Sequence, residues 1–339
     1  MPPDTSTVAT KPNATSTLEN TDMQPGFDQR LYLLAFDQRL SFATGMFHRH
    51  VHRDARLGAS LTEDQRQTAI DSKAVIYDGF REALGPAVPV GAAGILVDED
   101  LGAAVLRDAA RNGHVTALPT EKVDSSEFEF EYGGEFASHI AASRPTFAKA
   151  LVRYNPEGVA AVNERQITRL KQLSDYCLGV RQRLMVELLV EPTPAQQDRV
   201  EAFGTTYDRS LRPALTIQAV RTLQDAGIEP DVWAIQGLDR RSDCEHVILA
   251  VQRNGRSEVG CIVLARDAGA EQVVRWLETA ASVPGFVGFA VGRTTFRYAI
   301  AAYVAKQVTR QEAVSLIARR YREWVTAFER ARTRRVRTA

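Results

Sequence analysis

Eight short apolar runs recur along the sequence, and each is followed by a longer stretch with helical periodicity. The runs are 31–36 (LYLLAF), 93–97 (AGILV), 115–119 (VTALP), 146–154 (TFAKALVRY), 184–190 (LMVELLV), 231–238 (DVWAIQGL), 259–265 (VGCIVLA) and the glycine-bounded 285–296 (GFVGFAVGRTTF). Near-continuous apolar character means burial on both faces, which is the signature of strands in a parallel sheet. Helical spacing is expected over 62–84, up to 111, up to 142, and over 163–178, 194–202, 209–226, 241–253, 270–281 and 310–329. Thr62 with Gln65 forms a capping-box pattern, and Gly227 followed by Pro230 reads as a helix stop. Eight strand–helix pairs in roughly 310 residues match a single (β/α)8 barrel, an α/β fold. A doubly wound open sheet has no reason to repeat eight times.

Residues 1–26 are rich in Ser, Thr, Pro and Asn and carry no aliphatic cluster. They are expected to form a disordered tail ahead of a barrel spanning 27–330. A signal peptide needs a positive start and an apolar core, and neither is present. Residues 331–339 form a basic, frayed end. The chain carries 42 Lys and Arg against 42 Asp and Glu, so its net charge is zero. Such a balance offers no field for nucleic acid or anionic lipid, and any anion site must be local. No apolar run is long enough to span a membrane. Cys177, Cys244 and Cys261 are odd in number and lack metal-type spacing. They read as reduced thiols of a cytoplasmic protein.

In such a barrel the strand carboxyl ends build the active site. They carry Asp37 and Arg39, Asp98, Glu121 and Lys122, Lys149 with Arg153, Glu187, Gln236, Arg266 and Arg293. Lys149 and Glu187 sit inside otherwise apolar runs, where an unpaired charge is costly. They form either a structural ion pair or an amine and a carboxylate with chemical roles. The exit of the last strand, Gly292-Arg293-Thr294-Thr295, sets backbone N–H groups, a guanidinium and two hydroxyls together, which suits a phosphate. Asp37 and Arg39 read equally as a helix cap and a surface pair. His48, His50 and His52 lie in a polar loop beside Arg49 and Arg53, where positive neighbours disfavour a cation. No metal and no cofactor is expected.

AFDQR (35–39), AGILVDEDLG (93–102), ALPTEK (117–122), KALVRYNPEG (149–158), MVELLV (185–190) and GFAVGRTTF (288–296) together resemble a known family. It is the domain of unknown function fused to the inositol-catabolic sugar kinase. That domain is related to 2-deoxy-5-keto-gluconate 6-phosphate aldolases and, more distantly, to class I tagatose-bisphosphate aldolases. The resemblance runs from about Leu31 to Glu329. It implies a (β/α)8 barrel with lyase activity on a phosphorylated keto sugar. By it, Asp37 and Arg39 contact substrate, Lys149 lies beside the carbonyl, Glu187 is the proton-transfer carboxylate, and Gly292 and Arg293 sit in the phosphate region. With the other strand-end residues added, Asp37, Lys149 and Glu187 are the candidate catalytic residues. Arg39, Lys122, Arg153, Gln236, Arg266, Gly292 and Arg293 are candidate substrate contacts.

The family's imine-forming lysine lies on the sixth strand in a Trp-Lys-Ile-Glu-Gly-Leu pattern. This chain reads Trp233-Ala234-Ile235-Gln236-Gly237-Leu238 there, so that amine is absent. Three expectations follow. Lys149 takes over as the Schiff-base residue; or Lys149 and Glu187 perform acid–base chemistry such as isomerisation or epimerisation; or the barrel is a catalytically silent sugar-phosphate binder. A small phosphorylated molecule is the expected partner. Barrels of this kind often assemble into homo-oligomers, and no interface pattern is visible in the sequence.

Overall fold

β-branched and aromatic residues, buried on both sides, turn the eight runs into strands. The computed structural model describes residues 26–39, 61–123, 125–266 and 268–338. The loop with His48, His50 and His52 lies outside them, as does the leading segment up to residue 25. The strands are β1 (Leu31–Ala35), β2 (Ala93–Leu96), β3 (Val115–Pro119), β4 (Phe147–Arg153), β5 (Arg183–Leu189), β6 (Val232–Gln236), β7 (Gly260–Ala265) and β8 (Phe286–Val291). They pair in sequence order, all parallel, and β8 returns to β1 to close the ring. The fold is a single (β/α)8 barrel.

Around the ring lie α1 (Glu63–Ala83), α2 (Glu99–Arg111), α3 (Phe136–Ser143), α4 (Ala160–Val180), α5 (Pro194–Ala202), α6 (Tyr207–Ser210), α7 (Arg212–Asp225), α8 (Arg241–Val251), α9 (Ala270–Ala281), α10 (Arg293–Val304) and α11 (Arg310–Thr338). Local chemistry sets several starts. Thr62 and Gln65 cap each other across the first turn of α1, and Asp98 accepts from the Leu101 N–H at the start of α2. The stretch expected as one helix over 209–226 breaks into α6 and α7. Pro213 cannot donate a backbone hydrogen bond and so sits in the first turn of a new helix. A second difference is α10. The sequence reading carries the last run to 296 and assigns no helix before 310, yet the chain turns helical at Arg293 because Phe296, Ala299 and Ile300 bury one face. The basic end continues α11 as far as Thr338.

Two apolar layers hold this together. Inside the ring, Leu33, Leu96, Ala117, Phe147, Met185, Ala234, Ile262 and Ala290 pack on one another. Phe27 seals the strand amino ends, its ring edge-on to Phe147 at 5.1 Å. Outside, the α11 residues Tyr321, Trp324 and Phe328 cover β1 and β8. The Tyr321 hydroxyl donates to the Tyr32 carbonyl at 2.6 Å, and the Trp324 indole donates to Thr295 Oγ1 at 3.0 Å. Gly288 lets β8 close against β1, since a Cβ there would stand 1.7 Å from the Leu31 carbonyl oxygen.

Candidate active site

Strand alternation decides which side chains reach the barrel mouth. On β4, Phe147 and Lys149 point inward; on β5, Met185 and Glu187 do. The carboxylates of Asp37, two residues beyond β1, and of Glu121, two beyond β3, arrive by the same parity. All three carboxylates converge on Lys149 Nζ, at 2.6 Å from Glu121, 2.7 Å from Glu187 and 3.1 Å from Asp37. Lys149 is wholly buried beneath the mouth. Burial acts to lower its pKa, but Glu121, Glu187 and Asp37 outweigh it, so the ammonium is held well above the usual lysine range.

Glu187 is the opposite case. Burial pushes its carboxyl up, Lys149 pulls it down, and the nearby Asp37 and Glu121 push it up again, leaving the net direction upward. Three carboxylates sharing one buried cation cannot all ionise cheaply.

Above the cluster opens a cavity of about 660 Å³. Ala35, Leu96, Leu264 and Ala290 make its apolar floor, and Asp37, Gln38 and Glu187 one polar flank. The rest of the lining carries Arg266, Arg293 and Arg297, with Thr294 and Tyr298 beside them. Arg266 comes to 4.0 Å from Glu187. Gly269, at the start of α9, and Gly292, at the start of α10, border the same part of the lining, so two helix amino termini face the cavity. Gly292 allows the tight exit, because a Cβ would meet the Ala35 carbonyl oxygen at 2.8 Å. The mouth is thus divided: carboxyls toward β1, β3 and β5, guanidiniums and helix termini toward β7 and β8.

Of the residues singled out by sequence, Asp37, Glu187, Arg266, Gly292 and Arg293 border this cavity, and Lys149 lies directly beneath. Four others are placed elsewhere. Arg39 is buried against Glu131 at 2.7 Å and Asp98 at 3.9 Å. Lys122 is exposed and pairs with Glu129 at 3.7 Å. Arg153 pairs with Glu191 at 3.3 Å. Gln236 does not border the cavity, and its carbonyl accepts from Arg212 at 3.3 Å. Glu121 stood among the strand-end residues without a role, although its inward parity with Ala117 and Pro119 was readable. Arg297 and Tyr298 were not singled out. They share a face with Arg293 and Thr294 only once 293–304 is helical.

A closed eight-stranded parallel barrel, with an acidic cluster and a basic flank at its carboxyl mouth, defines the class as a (β/α)8 barrel. The chain belongs to the family described as "Uncharacterized protein conserved in bacteria (DUF2090)", whose model matches residues 18–332. Among solved structures it is similar to Cgl0159 from Corynebacterium glutamicum, with TM-score 0.51, 18% identity and 88% of each chain covered. It is also similar to the fructose-bisphosphate aldolase from Slackia heliotrinireducens, with TM-score 0.51, 12% identity and 85% of each chain covered. At those identities the likeness is one of fold. No curated protein matches the sequence. Among the described residues, no helix is long and apolar enough to cross a membrane.

Proposed function

We propose that this chain is an aldolase-like lyase that acts on a phosphorylated keto sugar by acid–base chemistry without forming an imine. The observation that carries this reading is the position of Lys149. Its nitrogen is sealed behind three carboxylates as an ammonium, whereas an imine needs a free amine at the carbonyl carbon. The two carboxyls that border the cavity in front of it, Asp37 and Glu187, are the groups able to meet a substrate. On β6, Ala234 pairs in register with Glu187 and offers only a methyl group.

In this reading the phosphate lies on Arg266, Arg293 and the starts of α9 and α10, which sets the keto carbon over the acidic flank. Asp37 takes the proton of the hydroxyl on the far side of the bond to be cleaved. The bond's electron pair moves into the carbonyl, and Glu187 delivers its proton to the carbonyl oxygen. An aldehyde and an enol result. Glu187 then takes back the enol O–H proton while Asp37 returns its proton to carbon, which gives the ketone and restores both carboxyls. Lys149 never touches the substrate; it keeps the carboxyl cluster together and supplies its counter-charge. The Slackia protein, an aldolase by name, shares the fold.

The test is solvent exchange. In D2O, dihydroxyacetone phosphate and keto-sugar phosphates should gain deuterium next to the carbonyl, as followed by proton NMR. Glu187→Gln should abolish this while leaving phosphate binding intact. Binding of these compounds with no exchange and no cleavage would overturn the proposal.

A further inference from the structure

A second buried lysine lies behind the acidic flank. Lys73, in the middle of α1, is wholly buried. Its ammonium donates to the Phe36 carbonyl at 2.7 Å, to the Gln38 carbonyl at 2.9 Å, and to Asp98. Asp98 is itself buried and fixed by the Leu101 N–H at 2.7 Å. A donor with three acceptors is an ammonium. Two of those acceptors are the carbonyls on either side of Asp37.

This placement is more than core satisfaction. The Phe36 N–H still donates to the Leu96 carbonyl of β2 at 2.8 Å, and Asp37 and Gln38 lie beyond that bond, past the end of the β1 strand. Gripping the carbonyls of Phe36 and Gln38 fixes the peptide plane just before Asp37 and the one just after Gln38, which pins both ends of the two-residue stretch that carries the Asp37 side chain. Arg39, just beyond, is tied from the other side by Glu131 at 2.7 Å. Asp37 is thereby held from its backbone by Lys73 and from its carboxylate by Lys149.

We infer that Lys73 is a positioning residue, whose grip on the Phe36 and Gln38 carbonyls aims the Asp37 carboxylate at the Lys149 ammonium and the cavity. Its importance for turnover rests on the acid–base reading above, but its geometry can be tested without any reaction. Lys73→Met alone strands a buried Asp98, so the working variant is Lys73→Met with Asp98→Asn, which keeps the helix cap.

The readout is hydrogen exchange of the Lys149 ammonium, followed by NMR on the full chain labelled with 15N-lysine. If Asp37 is part of the seal, Asp37→Asn raises the exchange rate roughly tenfold or more, because exchange follows local opening. The Lys73→Met/Asp98→Asn variant does the same. Combined with Asp37→Asn it adds nothing further, since both act through one carboxylate. Wild-type exchange in the double variant, or effects that multiply in the combination, overturns the inference. Inorganic phosphate binding is retained throughout, which reports that the barrel mouth stays folded in each variant. A common loss of both properties marks a merely structural role.

Discussion

Replacing Lys149 with methionine isolates the charge at the centre of the cluster. Methionine keeps the unbranched stem and most of the volume, so cavity formation contributes little. What is lost is the ammonium that accounts for contacts of 2.6, 2.7 and 3.1 Å to three carboxylates. Removing one partner of a buried ion pair typically costs about 3–5 kcal/mol. Here three carboxylates are left facing one another, so the upper part of that range applies at neutral pH. Against a total stability of about 5–15 kcal/mol, such a loss moves the urea midpoint by a large fraction of its value. The loss must shrink as pH falls, because Glu187, already pushed upward by burial and its acidic neighbours, loses the lysine that pulled it down and escapes repulsion by taking up a proton in the folded variant. Urea unfolding at pH 7 and pH 5, with fluorescence and circular dichroism as coincident probes, gives both quantities. A loss under about 1 kcal/mol at pH 7, the range of an exposed pair, would refute the reasoning. So would an equal loss at both pH values.

Glu187, whose carboxyl is pushed above its usual range, contributes stability that is fully present below the unfolded glutamate value. That stability is lost as pH rises through the raised folded value, so Glu187→Gln should flatten this part of the curve of unfolding free energy against pH. Arg293→Met should weaken inorganic phosphate binding by about 1.5–3 kcal/mol, the range for a charge-assisted hydrogen bond, when titrated calorimetrically at low salt. Gly288→Ala forces a Cβ into the Leu31 carbonyl and should lower the melting temperature sharply. Gly269→Ala, with no atom within 4 Å of its added Cβ, should melt like the parent chain.

The strand–helix repeat was legible because buried parallel strands write themselves as unbroken apolar runs; β1 to β7 fall within two residues of their runs, and β8 stops five residues short of the end of its run, where α10 takes over. The pairing of Lys149 with Glu187 was legible for a related reason, since charged residues in such runs must find each other. Longer-range consequences were not. Glu121 shares the inward parity of Ala117 and Pro119, but it opens a polar loop, and nothing local shows that Lys149 lies within its reach. Lys73 looks like any helix lysine until α1 is seen to press its stem against β1. The basic flank was half readable: Arg266 and Arg293 announce it. Arg297 joins only because the chain turns helical immediately, which packing of Phe296 and Ile300 decides rather than local propensity.

The state of Lys149 separates acid–base chemistry from imine chemistry most directly. Borohydride is added to the protein in D2O with dihydroxyacetone phosphate or a keto-sugar phosphate, and the Lys149 peptide is weighed by mass spectrometry. An unmodified lysine beside deuterated substrate is the result predicted here. A reduced substrate adduct on Lys149 would show that the seal opens and that the nitrogen attacks carbon, which contradicts the account.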